Sequence, residues 1–248
     1  MRFIKGMLGF LLGAGLSFSF NFGIGSAMIG LPWIVALIGA IPVGVYSGIA
    51  LAENVYELSV FSIAGYVLDM SWSALNTVVG LLYIPACLLA GAGLQVNSDT
   101  QRSGSLCYLA SPRGVGWRMT LGPVIGGGWN HHEEVHIWQA RIFGLFYFPV
   151  YGLCWGLNML FRLLTGKLND LAVAAYRRVC FEDWAYAAGA PDEILWSRWV
   201  LWFMVCSLYV TVSVSAVFGL VAHSILIFLL ALALLLVYSL VRAFVPTY

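Results

Sequence analysis

Five long apolar segments constrain this 248-residue chain more than any other feature of its sequence. They lie at about residues 3–21, 27–51, 73–94, 195–218 and 221–243. Each approaches the roughly 20 residues that a helix needs to cross a lipid bilayer. Only 9% of the residues are charged, whereas a soluble domain carries about 25%, so the chain cannot cover a water-facing surface. The sequence therefore predicts a mostly α, polytopic integral membrane protein with about five transmembrane helices, without identifying the membrane.

The distribution of polar residues divides the chain into three predicted regions. Residues 1–94 contain the N-terminal transmembrane helices, 95–193 form a polar, interfacial region, and 194–248 form a C-terminal transmembrane hairpin. The N-terminus has the charged head and apolar body of a signal peptide, and we interpret it as a first membrane helix. The five cysteines contain no CxxC pair, so no disulfide framework is predicted. The net charge of +1 gives no indication of nucleic-acid binding.

Short structural elements are predicted in the polar region. The stretches "SLCYLA" (105–110) and "WRMTLGPVIG" (117–126) are β-prone and bounded by Ser, Pro and Gly, which predicts that they form a small hairpin. A helix should begin after Asn130, a favourable N-cap, with Glu133 three residues later. A second polar helix is predicted over 169–189, ending at Gly189.

The first of these helices carries an HExxH motif, His132-Glu133-Glu134-Val135-His136. Residues four apart share one face of a helix, so both imidazoles can reach one zinc ion at about 2.0–2.1 Å. Glu133 is offset from that face and could take a proton from a zinc-bound water. A simpler interpretation is a capped, solvated helix start, because acids at a helix N-terminus are favoured by the helix dipole.

A catalytic zinc site needs a third protein ligand and leaves the fourth position to water. Glu182, on the second predicted helix, is the candidate for this ligand. Asp183 is a neighbouring alternative, and Asp170 is a weaker one because its position suggests a helix cap. Glu182 could also be a surface acid on an amphipathic helix.

The pair of motifs "HEEVH" and "FEDWA" resembles the gluzincin metallopeptidases. Among these it is most similar to the membrane-embedded group that includes the CAAX prenyl proteases and the bacterial heat-shock membrane proteases. The resemblance covers about residues 117–190. It implies that His132, His136 and Glu182 bind zinc and that Glu133 is the general base. It also implies that "MTLGPVIG" is an edge strand that holds an extended substrate by β-augmentation.

The chain departs from this group at one position. Four residues after the ligand Glu the group has an Asp, which serves as a partner to a ligating His, and this chain has Tyr186. Tyr186 could instead donate its hydroxyl to an oxyanion during catalysis. The alternative is a site that binds metal but turns over poorly.

The apolar segment 143–161 is long enough to span a bilayer. A single straight crossing would place His136 and Glu182 on opposite sides. A simple hairpin turning near Gly166 would have arms that differ by about 21 Å, at 1.5 Å per residue. A shared metal site therefore predicts that 143–161 is re-entrant or interfacial, with Pro149 and the glycines Gly152 and Gly156 allowing a break.

The function predicted from these features is a membrane-embedded zinc peptidase that hydrolyses peptide bonds in membrane or membrane-proximal polypeptides. The alternative is a non-catalytic membrane subunit of a larger complex with a structural or vestigial zinc site, in which His131 could be an extra ligand. A di-iron carboxylate enzyme needs two ExxH motifs, and only one is present. A channel or carrier has little support, because the apolar segments contain almost no ionisable residues.

Overall fold

The computed structural model describes residues 1–29, 32–114, 116–189 and 237. The predicted C-terminal hairpin, 194–248, lies outside the described residues except for Val237. The chain divides into two compact units, Met1–Leu145 and Phe146–Tyr248. The described part is mostly helical with one small mixed sheet, which confirms the predicted mostly α composition.

The first unit contains six helices and four strands within its described residues. Their bounds are α1 Arg2–Ile29, α2 Trp33–Ala52, α3 Val60–Met70, α4 Ala74–Leu89, β1 Leu94–Gln95, α5 Ser98–Ser103, β2 Leu106–Tyr108, β3 Met119–Leu121, β4 Val124–Gly126 and α6 His131–Phe143. A short 3₁₀ turn follows at Gly144–Phe146. The described elements of the second unit are α7 Tyr147–Leu164, α8 Leu171–Tyr176 and α9 Cys180–Gly189.

Three helical segments in the described residues are long and apolar enough to cross a membrane: Arg2–Gly23, Trp33–Ala52 and His131–Leu164. The first two coincide with predicted spans. The predicted third span, 73–94, is a 16-residue helix, α4, which meets that criterion only together with α3, and the pair is bent by 90°. The two remaining predicted spans fall outside the described residues, so the number of five stays a prediction.

Small residues allow α1 and α2 to pack closely. A Cβ at Gly9 would lie 2.7 Å from the carbonyl oxygen of Ser47, and one at Gly48 would lie 2.9 Å from that of Gly6. The Ser47 hydroxyl donates to the carbonyl oxygen of Gly9 at 2.7 Å. Close backbone approach through small residues and a polar contact is the usual basis of helix association in lipid.

The sheet has the strand order β1-β2-β4-β3. The prediction that 105–110 and 117–126 pair as a hairpin is wrong, because β2 and β4 pair in parallel and the hairpin lies within the second stretch, between β3 and β4. Gly122, at φ 56°, opens the two-residue connection of that hairpin, a conformation that glycine adopts without strain. β3 is therefore an edge strand of this sheet.

The second unit differs from the prediction of one polar helix over 169–189. That stretch forms α8 and α9, with a break at residues 177–179. Asn158 of α7 accounts for the break, because its side-chain amide donates to the carbonyl oxygens of Ala175 at 3.2 Å and Arg178 at 2.8 Å. A helix end needs such partners for its carbonyl groups.

The expected break inside 143–161 is also displaced. α7 remains helical through Pro149, Gly152 and Gly156, since Pro149 lies in its first turn, where a missing N–H removes no intrahelical bond. The chain leaves α-helical geometry earlier, at Gly144, which has φ 54° and ends α6. A side chain at Gly144 would overlap the ring of Trp72. The re-entrant or interfacial course of 143–161 stays a prediction.

Candidate metal centre

Helix α6 begins as predicted. Asn130 is extended, with φ −151° and ψ 170°, and its Oδ1 accepts from the backbone N–H of Glu133 at 2.8 Å. Gly127 and Gly128, both with positive φ, connect β4 to this cap. Asparagine is among the most favourable N-caps because its side chain satisfies one of the unpaired N–H groups of the first turn. The cap therefore fixes the point at which the HExxH motif starts.

Polar side chains near the bend between α3 and α4 hold the C-terminal end of α6. The hydroxyl of Ser73 donates to the carbonyl oxygen of Ala140 at 2.9 Å. The Asn76 amide donates to the carbonyl oxygens of Ala140 at 2.9 Å and Gly144 at 2.7 Å. These bonds satisfy carbonyl groups that a helix terminus leaves unpaired.

A buried ion pair fixes the same end of the helix. Arg141 donates from Nε to Asp69 Oδ1 at 3.0 Å and from a terminal nitrogen to Oδ2 at 2.7 Å, and both side chains are 1% exposed. Arg141 also donates to the carbonyl oxygens of Ser103 at 2.6 Å and Gly104 at 2.9 Å. A bidentate, fully hydrogen-bonded guanidinium fixes geometry more strictly than a single contact. α6 is thus anchored to α3 and to the end of α5.

The HExxH histidines face one another. The Nε2 atoms of His132 and His136 are 3.1 Å apart. Two nitrogens bound to one tetrahedral zinc at 2.0–2.1 Å would be about 3.3 Å apart. Two nitrogen lone pairs approach this closely only with a proton or a cation between them. The pair is therefore arranged as the predicted ligands require.

Glu133 is buried on an adjacent face of α6. Its Oε2 accepts from the hydroxyl of Thr120, on β3, at 2.7 Å. Ile137 of the same helix packs with Cys107 and Ile125 from the sheet, which sets the spacing between α6 and the strands. The carboxylate therefore has a fixed orientation.

His131 has a different environment from the other two motif histidines. Its side chain is 58% exposed, and Nδ1 lies 3.3 Å from Glu134 Oε2. Arg102 of α5 is 3.9 Å from the same carboxylate oxygen. His131, the suggested extra ligand, thus lies in an ionic cluster with the buried Glu134 and with Arg102.

Glu182 is buried in the second unit, in the first turn of α9. The hydroxyl of Tyr151, on α7, donates to Glu182 Oε1 at 2.8 Å. The Tyr151 ring stacks on that of Phe181, with an interplanar angle of 15°. The alternative of a surface acid is therefore wrong for Glu182.

The other predicted residues of the second unit have distinct positions. Asp170 precedes α8 with φ 47°, and its side chain makes no cap hydrogen bond. Asp183 is half-buried next to Glu182. Tyr186, one turn after Glu182 on α9, is 49% exposed.

Among the described residues, the ligand atoms of His132, His136 and Glu182 form a group that could hold a metal ion, with all three atoms within 4.8 Å of one another. These are the three predicted ligands. Asp170, Asp183 and His131 are not members of this group.

Sequence reasoning missed three hydrogen-bonding partners of these side chains: Thr120 for Glu133, Tyr151 for Glu182, and Gln139, whose Oε1 accepts from His136 Nδ1 at 2.8 Å. Helical spacing could have indicated Gln139, which lies three residues after His136. No local signal links Thr120 or Tyr151 to the motif, since they lie 13 and 31 residues from their partners.

The chain matches no family model, no curated protein and no solved structure.

Proposed function

We propose that this protein is a membrane-embedded, zinc-dependent peptidase in which His132, His136 and Glu182 bind one zinc ion. The grouping of these three ligand atoms within 4.8 Å is the observation that carries the proposal. Two imidazoles and one carboxylate are a frequent donor set of catalytic zinc. When bound, zinc acts as a Lewis acid that makes water nucleophilic near neutral pH and polarises a carbonyl group.

Glu133 is the proposed general base. Its buried carboxylate is oriented by the Thr120 hydroxyl, which leaves Oε1 able to accept a proton from the attacking water. The same carboxyl group then returns the proton to the leaving amine. General acid–base help of this kind accelerates a reaction by about 10²–10⁴-fold.

The edge strand β3 supports a peptide as substrate. Among the described strands it pairs with β4 alone, on one side, and Thr120 lies at its centre. An extended polypeptide that pairs with the other side of β3 would run past the residue that orients Glu133. Membrane or membrane-proximal polypeptides are the proposed substrates, because candidate membrane spans make up much of the described chain.

The number of ligands favours an enzyme over the alternative of a non-catalytic subunit with a structural zinc. A structural site is closed by four protein ligands, whereas a catalytic site has three. The group found among the described residues has three, and His131 contacts Glu134.

Metal content tests the site. The protein purified in detergent should contain about one zinc per chain by elemental analysis, and His136→Ala and Glu182→Ala should each lose it. Full zinc retention in either variant would contradict the proposed ligand set.

Two adjacent carboxylates provide a matched test of the chemistry. Glu133→Gln should retain zinc and lose cleavage of a fluorescein-labelled casein or of a quenched membrane-peptide library. Glu134→Gln changes the same functional group one residue away, in the ionic cluster with His131, and should retain both zinc and cleavage. Equal activities of the two variants would refute the role of Glu133. Zinc binding without any cleavage by the unmodified protein would favour the non-catalytic subunit.

A further inference from the structure

The ligand histidine His136 has a neutral hydrogen-bonding partner on its own helix. Gln139 lies three residues later, is fully buried, and accepts at Oε1 from His136 Nδ1 at 2.8 Å. An amide oxygen has no proton to donate, so Nδ1 carries the hydrogen in this contact. A neutral imidazole with its proton on Nδ1 has its lone pair on Nε2, the atom that faces His132.

Metal-binding histidines generally donate their second ring N–H to a carboxylate, a backbone carbonyl or water, and this bond fixes the tautomer and the ring orientation. We propose that Gln139 is a positioning residue that holds His136 in the Nδ1–H tautomer and so prepares Nε2 as a metal ligand. The inference rests on the metal site proposed above. In the group that the sequence resembles, an Asp at the position of Tyr186 is the partner of a ligating His. The inference assigns that role to Gln139 instead.

The surroundings of Gln139 make its position rigid. The carbonyl of the next residue, Ala140, accepts from both Ser73 and Asn76. Arg141 follows, with its bidentate bond to Asp69. Precise placement of a ligand requires support of this kind, because a displacement of about 1 Å is enough to weaken a site. A neutral amide also adds no charge to the buried site, unlike the Asp of the resembling group.

Zinc affinity in a set of variants tests the inference. Gln139→Leu keeps the approximate size of the side chain and removes the acceptor, and should weaken zinc binding by about 10–100-fold, as loss of such partners typically does. Gln139→Glu retains an oxygen acceptor and should restore most of the affinity. Glu134→Gln is the matched control, because it changes a side chain of the same helix that contacts His131, and it should leave the zinc Kd unchanged.

The tautomer of His136 gives a second readout that does not depend on metal. Nitrogen NMR of histidine-labelled, metal-free protein should show His136 protonated on Nδ1, and Gln139→Leu should shift it toward the Nε2–H form. An Nε2–H tautomer in the unmodified protein would overturn the inference. So would equal zinc affinities of the unmodified protein and Gln139→Leu. Absence of zinc binding by the unmodified protein would instead refute the metal site, and the NMR result would still decide the role of Gln139.

Discussion

Replacing Arg141 by Met should destabilise the protein strongly. The substitution removes the ion-pair partner of Asp69, which is 1% exposed. Among the described side chains, the Tyr56 hydroxyl, at 2.7 Å, would be left as the donor to this carboxylate. It also removes the donors to the carbonyl oxygens of Ser103 and Gly104. Breaking a buried ion pair from one side costs about 3–5 kcal/mol, because the other charge stays buried and uncompensated.

This cost can be measured as a change in melting temperature. At roughly 2–4 °C per kcal/mol for a chain of this size, Arg141→Met should lower Tm by about 6–20 °C. Thermal unfolding of the protein in detergent, followed by a thiol-reactive dye or by loss of the monodisperse chromatographic peak, provides the measurement. The buried cysteines Cys87, Cys107, Cys154 and Cys180 make the dye a suitable probe.

The double variant Asp69→Leu/Arg141→Met is the decisive comparison. Replacing a whole buried ion pair by apolar residues is often neutral or stabilising, so the double variant should recover much of the lost Tm. A Tm for Arg141→Met within about 2 °C of the unmodified protein would refute the argument, because 1 kcal/mol or less would then separate them. A double variant less stable than Arg141→Met would show that the contacts of Asp69 with Tyr56, not the unpaired charge, dominate.

Three further outcomes are expected. Asn130→Ala removes the cap of α6 and should lower the free energy of unfolding in denaturant by about 0.5–2 kcal/mol, whereas Asn130→Ser should lower it much less. Equal losses of stability in the two variants would contradict the role of Asn130 as a cap. Tyr151→Phe removes the hydrogen bond to Glu182 Oε1 and should weaken zinc binding without altering the zinc-to-protein ratio at saturation. An unchanged zinc Kd would show that this bond does not position Glu182. Burial raises the pKa of the Cys107 thiol to about 12, so in a variant with no other cysteine its maleimide labelling should stay slow between pH 7 and 9. Because this folded-state pKa lies above that of the unfolded chain, the contribution of Cys107 to stability should be complete below about pH 8.5 and should decrease as the pH rises toward 12. Fast maleimide labelling of Cys107 in the folded protein at pH 8 would contradict its burial.

Local periodicity and capping made several features predictable. The i, i+4 spacing alone places His132 and His136 on one face, because 3.6 residues complete a turn of helix. Asn130 marks the start of α6 because its side chain satisfies an N–H of the first turn. The apolar runs that include α1 and α2 are long enough to predict helices without any tertiary information.

Strand pairing and helix breaks depended on distant contacts. β2 pairs with β4 in parallel, and no property of "SLCYLA" distinguishes that arrangement from the predicted hairpin. The division of 169–189 into α8 and α9 follows from Asn158, a side chain of another helix that satisfies the carbonyl groups at the break. Pro149 and the glycines of α7 indicated a break, but the contact of Gly144 with Trp72 decided its position.

The sequence by itself determined which donor groups this protein offers to a metal ion, and the tertiary structure decided which of those side chains belong to one group. An HExxH helix and a later acid define a donor set, but adjacent acids such as Glu182 and Asp183 point about 100° apart on a helix, so only packing selects between them. Glu182 is the one buried against Tyr151, and it belongs to the ligand group. The orientation of Glu133 and the tautomer of His136 depend on Thr120 and Gln139. Such hydrogen bonds are decided by distances of a few tenths of an ångström, which residue order does not specify.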